Sequence, residues 1–460
     1  MHRSNGRLAA SGRAWVLAAL LAASTPYAQE LAYLPGDQPD RIVLTPSSDP
    51  ARSQTVNWRT STAVMQAEAE IAVATGAPAF APERVQGAMR RLYLPDRDSA
   101  HHRVTFTGLQ PDTAYVYRVA GLDVWSEWFQ FRTAADTFQP HSIIYLGDAQ
   151  NAIRTRFART LRQALLATSD ARLVLHAGDL IDRAGVTDAL WGEWFAAGDW
   201  IHASIPALPA AGNHEYDEQA APVQLSPHWP AQFSVPGDGP EALAATVYTV
   251  LFQGVRYLVL DSTAAVHDEN MARLQADWMQ AVLADDDALW TVALFHHPVF
   301  SVSHGHASPN LDRHWRPVFE AAPVDLVLQG HDHVYGRRGT PGGEPSEGRA
   351  GIPLYVVSVA GAKMNLAAVD GHAYDVVAED VQLFQTVQFA ADHLRLDARA
   401  ADGTLHDTVV IRRDADGSKW LELPEASPAV LSSCANPYST PAYRDDGGRS
   451  RPGRCREGLR

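Results

Sequence analysis

Five short motifs close apolar runs in this chain: Gly147-Asp148-Ala149-Gln150, Gly178-Asp179-Leu180, Gly212-Asn213-His214-Glu215, His296-His297-Pro298 and Gly330-His331-Asp332-His333. Two carboxylates, one amide and three imidazoles make a donor set for two metal ions a few ångströms apart. Such a pair generates hydroxide from water near neutral pH and clamps the attacking and leaving oxygens of a phosphoryl group. Two dications held that close repel, so one anionic ligand has to be shared, and Asp179 is the candidate bridge. Asp148 is assigned to one ion and Asn213, through its carbonyl oxygen, to the other. His296, His331 and His333 supply neutral imidazoles. This mixture suits Fe, Zn or Mn better than Ca, which takes all-oxygen shells. Each motif alone is unspecific, since Gly-Asp after a strand is a common turn and Asn-His can cap a helix. The ordered set of five carries the reading.

Positioning six side chains from distant segments needs a scaffold whose strands end together. Ser142–Leu146, Arg172–His176, Ile205–Pro209, Thr291–Phe295 and Asp325–Leu328 are β-prone apolar runs. Helical patterns lie between several of them, as with Phe157, Leu161 and Leu165 at intervals of four. Alternation of this kind predicts an α/β domain over 140–413 with helices on its faces. In open α/β sheets, ligands gather where the strands end. The tryptophans Trp191, Trp194 and Trp200 fall at helical intervals and read as core, and His176 as a buried strand histidine. Residues 380–413 return to β character, with Asp402-Gly403 as a hairpin turn. Upstream, 30–136 is strand and turn throughout: Arg41–Leu44, Thr55–Trp58, Arg103–Phe106, Ala114–Val119 and Trp128–Arg132 are separated by Pro, Gly, Asp and Ser. The run Leu109-Gln110-Pro111-Asp112-Thr113-Ala114-Tyr115 has the form of a tyrosine corner, which points to an all-β, fibronectin type III-like sandwich.

The chain has 460 residues, enough for at least two domains, and its 53 acidic against 38 basic residues give a formal charge of −15. That balance argues against nucleic acid as a partner and leaves any attraction for phosphate to local metals. Residues 1–28 read as a secretory signal: Arg3, Arg7 and Arg13 precede the apolar stretch Ala14–Ala23. No later run is long and apolar enough for a membrane span. An exported protein, periplasmic or extracellular, is the expectation. The polar tail, 414–460, holds the only two cysteines, Cys434 and Cys455. They read as one disulfide, whose loop of about twenty residues is worth roughly 3 kcal/mol in the chain-entropy picture.

On these motifs the chain resembles the calcineurin-like metallophosphoesterases, and among them the two-domain purple acid phosphatases. Their pattern runs Asp-x-Gly, Gly-Asp-x-x-Tyr, Gly-Asn-His-Asp/Glu, a later His and Gly-His-x-His. The resemblance implies a metallophosphoesterase-like β-sandwich flanked by helices. It also implies that Asp148, Asp179 and His333 hold the first metal and Asp179, Asn213, His296 and His331 the second. Two departures stand out. The family's ferric-binding tyrosine is replaced by Asp182 in Gly178-Asp179-Leu180-Ile181-Asp182, which predicts a colourless enzyme. Gln150 stands where other members have glycine or histidine, so it is placed at the first metal, with Asp182 behind it. His214 is read as facing substrate, where a general acid contributes roughly 10²–10⁴-fold. His304 and His306 fall where the resembling enzymes place substrate-contacting histidines, His306 being the better match. His297 has a weaker claim, and Arg337, beside Tyr335, is a candidate for phosphate.

The expected activity is hydrolysis of small phosphate monoesters by in-line attack of hydroxide. A phosphodiesterase or nucleotidase using the same site remains open, because fold and motif do not separate them. A reading from another class is an exported surface- or carbohydrate-binding protein with a vestigial metal site.

Overall fold

The computed structural model describes residues 33–94, 97–184, 188–285, 288–303, 306–322, 324–340, 351–365, 367, 374–422, 430–432, 443–444 and 450–451. The signal-peptide segment, both cysteines and His304 lie outside the described residues.

Two four-stranded antiparallel sheets form the N-terminal sandwich. One orders its strands Asp40–Thr45, Gln54–Thr60, Ser99–Phe106 and Ala88–Leu92; the other Glu83–Gln86, Glu68–Val73, Ala114–Val119 and Phe129–Arg132. Alternate residues point inward, so Val56, Trp58, Val104, Phe106, Tyr115, Tyr117 and Phe131 meet between the sheets. The tyrosine corner is present: Gln110 N–H donates to Tyr115 Oη at 2.8 Å. Three strands escape the sequence reading. Glu68–Val73 is Glu- and Ala-rich, Glu83–Gln86 is polar, and Ala88–Leu92 carries Arg90 and Arg91. Their β character comes from partners rather than propensity.

The second domain stacks two mixed sheets. The seven-stranded sheet runs Ala207–Ala210, Ala171–Ala177, His141–Leu146, Leu383–Phe389, His393–Ala400, Leu405–Arg413 and Lys419–Glu422. Its first three strands are parallel and the rest antiparallel. In the eight-stranded sheet Val255–Val259, Trp290–Leu294, Leu326–Gln329 and Gly351–Val357 are parallel neighbours. Strand alternation divides the core. Ile143, Tyr145, Leu173, Leu175, Leu294 and Leu328 fill the space between the sheets. Ile144, Leu146 and Val174 face outward under Phe157, Leu161, Trp191 and Trp194. Leu258, Ala293 and Val327 do the same under the helix Glu269–Leu283 and under Trp315 and Phe319. Burial on both faces explains why these strands read as continuous apolar runs.

One packing expectation fails. Trp191 and Trp194 are fully buried, but Trp200 is 52% exposed. Asp199 adopts a positive φ of 45° and starts a separate five-residue helix at Trp200, which breaks the periodicity.

Candidate metal centre

Each sheet delivers three candidate ligands to one edge. Asp148, Asp179 and Asn213 follow the parallel strands His141–Leu146, Ala171–Ala177 and Ala207–Ala210. His296, His331 and His333 follow Trp290–Leu294 and Leu326–Gln329 of the other sheet. Parallel neighbours end on the same side, so the carboxyl ends of both sheets meet. Asp148, Asp179, His331 and His333 all have left-handed φ, between 51° and 73°. Non-glycine residues there cost about 1–3 kcal/mol each and persist where surroundings over-determine them, typically at functional sites. Close approach is also built in: a Cβ on Gly212 would lie 2.2 Å from Asp179 Oδ1.

The donor atoms form two clusters that share Asp179: Asp179 with His296 and His331, and Asp148 with Asp179 and His333. The first cluster shows why a cation fits. His296 Nδ1 lies 2.8 Å from the Ala177 carbonyl, so that nitrogen carries the ring proton. Its Nε2 then presents a lone pair. Around Nε2 stand Asn213 Oδ1 at 3.1 Å, Asp179 Oδ2 at 3.2 Å and His331 Nδ1 at 3.2 Å. His331 Nδ1 is itself 3.1 Å from Asn213 Oδ1. Two ring nitrogens and two side-chain oxygens converge on one point, a donor set that a cation would take. Burial alone would pull the His296 ring down, but Asp179 and Asp148 outweigh it and hold the pKa at about 9. His331 moves the other way, far below the usual imidazole range, through burial and the neighbouring rings of His297 and His296. Asp148 is driven up by burial, and by Asp179 beside it. Asp179, despite the same burial, is held well below the usual carboxylate range by His296 and His214.

The supporting shell is as specific. Asn213 donates its Nδ2 to Glu218 Oε2 at 3.4 Å, which turns Oδ1 toward the histidines. His331 N–H donates to both oxygens of Asp148, at 3.0 and 2.8 Å. Gln150 is wholly buried, its Nε2 2.9 Å from Asp179 Oδ2 and 2.9 Å from His333 Nε2. Glu215, the last residue of its motif, had no assigned role. It is fully buried and accepts from the backbone N–H of Asp179, Leu180, Ile181 and Gly212, at 2.7 to 3.4 Å. Burial and Asp179 push its carboxyl upward, while the backbone N–H donors favour the charged form, whose two oxygens accept from all four. It ties together the loops that carry Asp179 and Asn213.

His214 holds its place through its N–H to Asp179 Oδ1 at 2.9 Å, with the partly exposed ring reaching within 3.7 Å of Asp179 Oδ2. His306 packs its ring 4.7 Å from that of His331, and its Nδ1 meets Asp332 Oδ1 at 2.9 Å. Asp332 lies between the two candidate ligands His331 and His333. It is fully buried and accepts from Ser303 N–H at 3.1 Å and Ser301 Oγ at 3.0 Å. His297 backs the site, its ring 4.2 Å from that of His331 and its Nδ1 3.0 Å from Ser262 Oγ. Lys363, in the loop after Gly361, acts electrostatically on Asp148 and places a cation near the cluster.

One expectation is corrected. Arg337 is buried in a bidentate pair with Asp407, 2.6 and 3.2 Å, shared with the Tyr335 hydroxyl. It is committed to the core and does not meet phosphate. Asp182 is partly exposed and accepts from Asn151 Nδ2 at 3.1 Å. His176 is buried as read, edge-on to Trp194 at 5.2 Å.

Two family models match. Residues 39–133 match the purple acid phosphatase N-terminal domain, and residues 141–335 match the calcineurin-like phosphoesterase. An uncharacterized protein of Mycobacterium tuberculosis is 26% identical over 316 residues, 61% of this chain. The chain spans 59% of that relative's length. Acid phosphatase type 7 of Mus musculus is 25% identical over 353 residues, covering 70% of this chain and 76% of the relative. Among solved structures, purple acid phosphatase PPD1 from seeds of yellow lupin (Lupinus luteus) superposes with a TM-score of 0.67 at 18% identity, over 82% of this chain and 75% of the other. At that identity the likeness speaks for the fold alone.

Proposed function

Because the chain has the two-domain architecture of purple-acid-phosphatase-like calcineurin-type metallophosphoesterases, without a tyrosine in its metal cluster, we propose that it is a phosphatase acting on small phosphate monoesters. The observation that carries this is the convergence of His296 Nε2, His331 Nδ1, Asn213 Oδ1 and Asp179 Oδ2 on one point, beside the Asp148–Asp179–His333 cluster. Asp148, Asp179 and His333, with Asp179, Asn213, His296 and His331, are the residues that would hold two ions. When bound, such a pair supplies hydroxide at neutral pH and neutralises the phosphoryl oxygens.

The chain's own side chains do the rest. His214 sits beside the shared carboxylate with its ring partly open to solvent, in place to donate to a phosphoryl oxygen or the departing alkoxide. His306 has its Nδ1 committed to Asp332, so it meets substrate through Nε2. Lys363 adds positive charge on the Asp148 side. No helix among the described residues is long and apolar enough to cross a membrane. Export, toward periplasm or medium, rests on the basic start and apolar stretch of residues 1–28.

The test joins elemental analysis with a substrate panel. Two metal equivalents per chain and hydrolysis of p-nitrophenyl phosphate faster than of its bis-ester are expected, with both lost or sharply reduced in Asp179→Asn. Faster cleavage of the bis-ester would move the assignment to a phosphodiesterase. A metal-free protein with no hydrolysis would leave the sandwich as the working part.

A further inference from the structure

We propose that Lys363 sets the preference of this site for phosphate monoesters, its ammonium taking the extra unesterified oxygen and extra charge that a diester lacks. The inference rests on the phosphatase reading above and deepens it, since fold and metal ligands do not separate the two substrate classes.

The first observation lies in the sequence. Of the 38 lysine and arginine residues, two are lysines, Lys363 and Lys419. Lys419 is engaged in the fold: its Nζ lies 2.8 Å from both oxygens of the buried Asp325 and 4.5 Å from the centre of the Trp290 ring. Lys363 therefore places a compact ammonium, with three rotatable donors, where the chain elsewhere uses the flat guanidinium.

The second observation is its position. The segment is pinned on both sides of Lys363 to the motifs that supply the first metal position. Upstream, Ala360 N–H donates to the Gly147 carbonyl at 2.8 Å, and a Cβ on Gly361 would lie 2.1 Å from the Asp148 carbonyl oxygen. Downstream, Asn365 N–H donates to the His333 carbonyl at 3.2 Å, and its Nδ2 to the Asp332 carbonyl at 3.0 Å. Lys363 stands two residues from Gly361 and two from Asn365, so its Cα lies within about 7 Å of theirs. It is half-buried, and its charge is felt by the Asp148 carboxylate. Asp148 itself is served by His331 N–H on both oxygens, at 3.0 and 2.8 Å.

The substrate chemistry matches. Above a second pKa of about 6, a monoester carries close to two negative charges. It has three unesterified oxygens, one more than the two of a diester and one more than a metal pair clamps. A charge-assisted hydrogen bond to that oxygen is worth roughly ten- to a hundredfold in affinity.

The experiment uses the metal-loaded full-length chain. With two lysines to label, amine acetylation followed by peptide mass spectrometry reads Lys363 directly. Inorganic phosphate, a dianion at about pH 8, should slow acetylation of Lys363 and leave Lys419 unchanged. Dimethyl phosphate, a monoanion, should protect far less. In Lys363→Gln, kcat/KM for p-nitrophenyl phosphate should fall about ten- to a hundredfold, mostly through KM, and that for the bis-ester much less. Lys363→Arg should keep most of the monoester preference, and elemental analysis should find two ions in every variant. The proposal is overturned if phosphate leaves Lys363 labelling unchanged, if Lys363→Gln slows both esters equally, or if that variant loses metal. Should Lys363→Gln fail to fold, protection of the wild type decides the matter alone. A wild type that cleaves neither ester, or prefers the bis-ester, overturns the monoesterase reading together with this one. A monoester preference that survives in Lys363→Gln overturns only the role of Lys363.

Discussion

Glu215 shows how much a single residue can hold. Its two oxygens take four backbone N–H donors from the loops carrying Asp179 and Asn213. Gln in its place keeps one acceptor oxygen and turns an NH2 group toward donors that then lack an acceptor. At about 1–3 kcal/mol per stranded buried group, Glu215→Gln should cost on the order of 3 kcal/mol and weaken metal binding in parallel. Equal Tm and equal metal affinity would show that the loops stand without it. Asp332 holds the Ser301–Ser303 segment through one carboxylate oxygen and His306 through the other. It fixes His306 through Nδ1 at 2.9 Å, so Asp332→Asn should slow hydrolysis of alkyl phosphates, which need a proton at the departing oxygen, about tenfold or more. Turnover of p-nitrophenyl phosphate, whose leaving group needs no such help, should change little. An equal loss on both substrates would assign Asp332 to holding the ligands beside it. Neither role was readable beforehand. Glu215 stood inside a motif, but its partners are main-chain donors from another strand end, and Asp332 faces residue 306 across the site.

At the scale of elements, the strand ends were legible because both faces of each central strand are buried, leaving continuous apolar runs that stop at Gly-Asp, Gly-Asn or His-Pro. The candidate ligands therefore stand as punctuation between runs. Loops that return to the site from elsewhere had no such mark. The segment after the strand Gly351–Val357 is one: Ala360 N–H donates to the Gly147 carbonyl at 2.8 Å and Asn365 Nδ2 to the Asp332 carbonyl at 3.0 Å. It clasps both motifs of the first metal position and brings Lys363 near Asp148. Gly361 permits this, since a Cβ there would stand 2.1 Å from the Asp148 carbonyl oxygen, a contact no backbone tolerates. Gly361→Ala should push the segment away and reduce affinity at the first position about tenfold or more, the cost expected when support around a ligand is lost. The second position, made by Asn213, His296 and His331, should be little changed. Isothermal titration of the two ions distinguishes these outcomes, and a uniform loss at both would mean that the clasp serves the whole centre.

For the molecule as a whole, the sandwich is joined to the catalytic half through buried charge. Asp188 accepts from Arg41 at 2.7 and 2.8 Å and from Arg59 at 2.6 Å, and Arg41 also reaches Gln232 at 2.9 Å. Burial opposes the Asp188 charge, but His228, Arg41 and Arg59 outweigh it and hold its carboxyl well below the usual range. Removing one member of such a group strands the others, so Asp188→Ala should cost about 3–5 kcal/mol. An unchanged Tm would show the two halves to be energetically independent. Acid acts on the same molecule through a different set of groups. His102 stacks on Trp58, His202 on Trp194, and His141 on Phe389. Burial lowers each of the three to about 4. In the unfolded chain they titrate near 6.5, so between about pH 6.5 and 4 the unfolded state binds more protons. Stability therefore rises with pH across that window. The contribution is fully present above about pH 6.5 and is lost as pH falls through 4, by at most about 3 kcal/mol per histidine. The paired carboxylates Asp179 and Asp188 lose theirs only at lower pH, because their unfolded values lie near 3.9. Thermal unfolding of wild type and His202→Phe from pH 7.5 to 4.5 tests this: the variant's Tm should fall less steeply below pH 6.5. Parallel curves would mean that His202 takes up its proton without unfolding the helix around it.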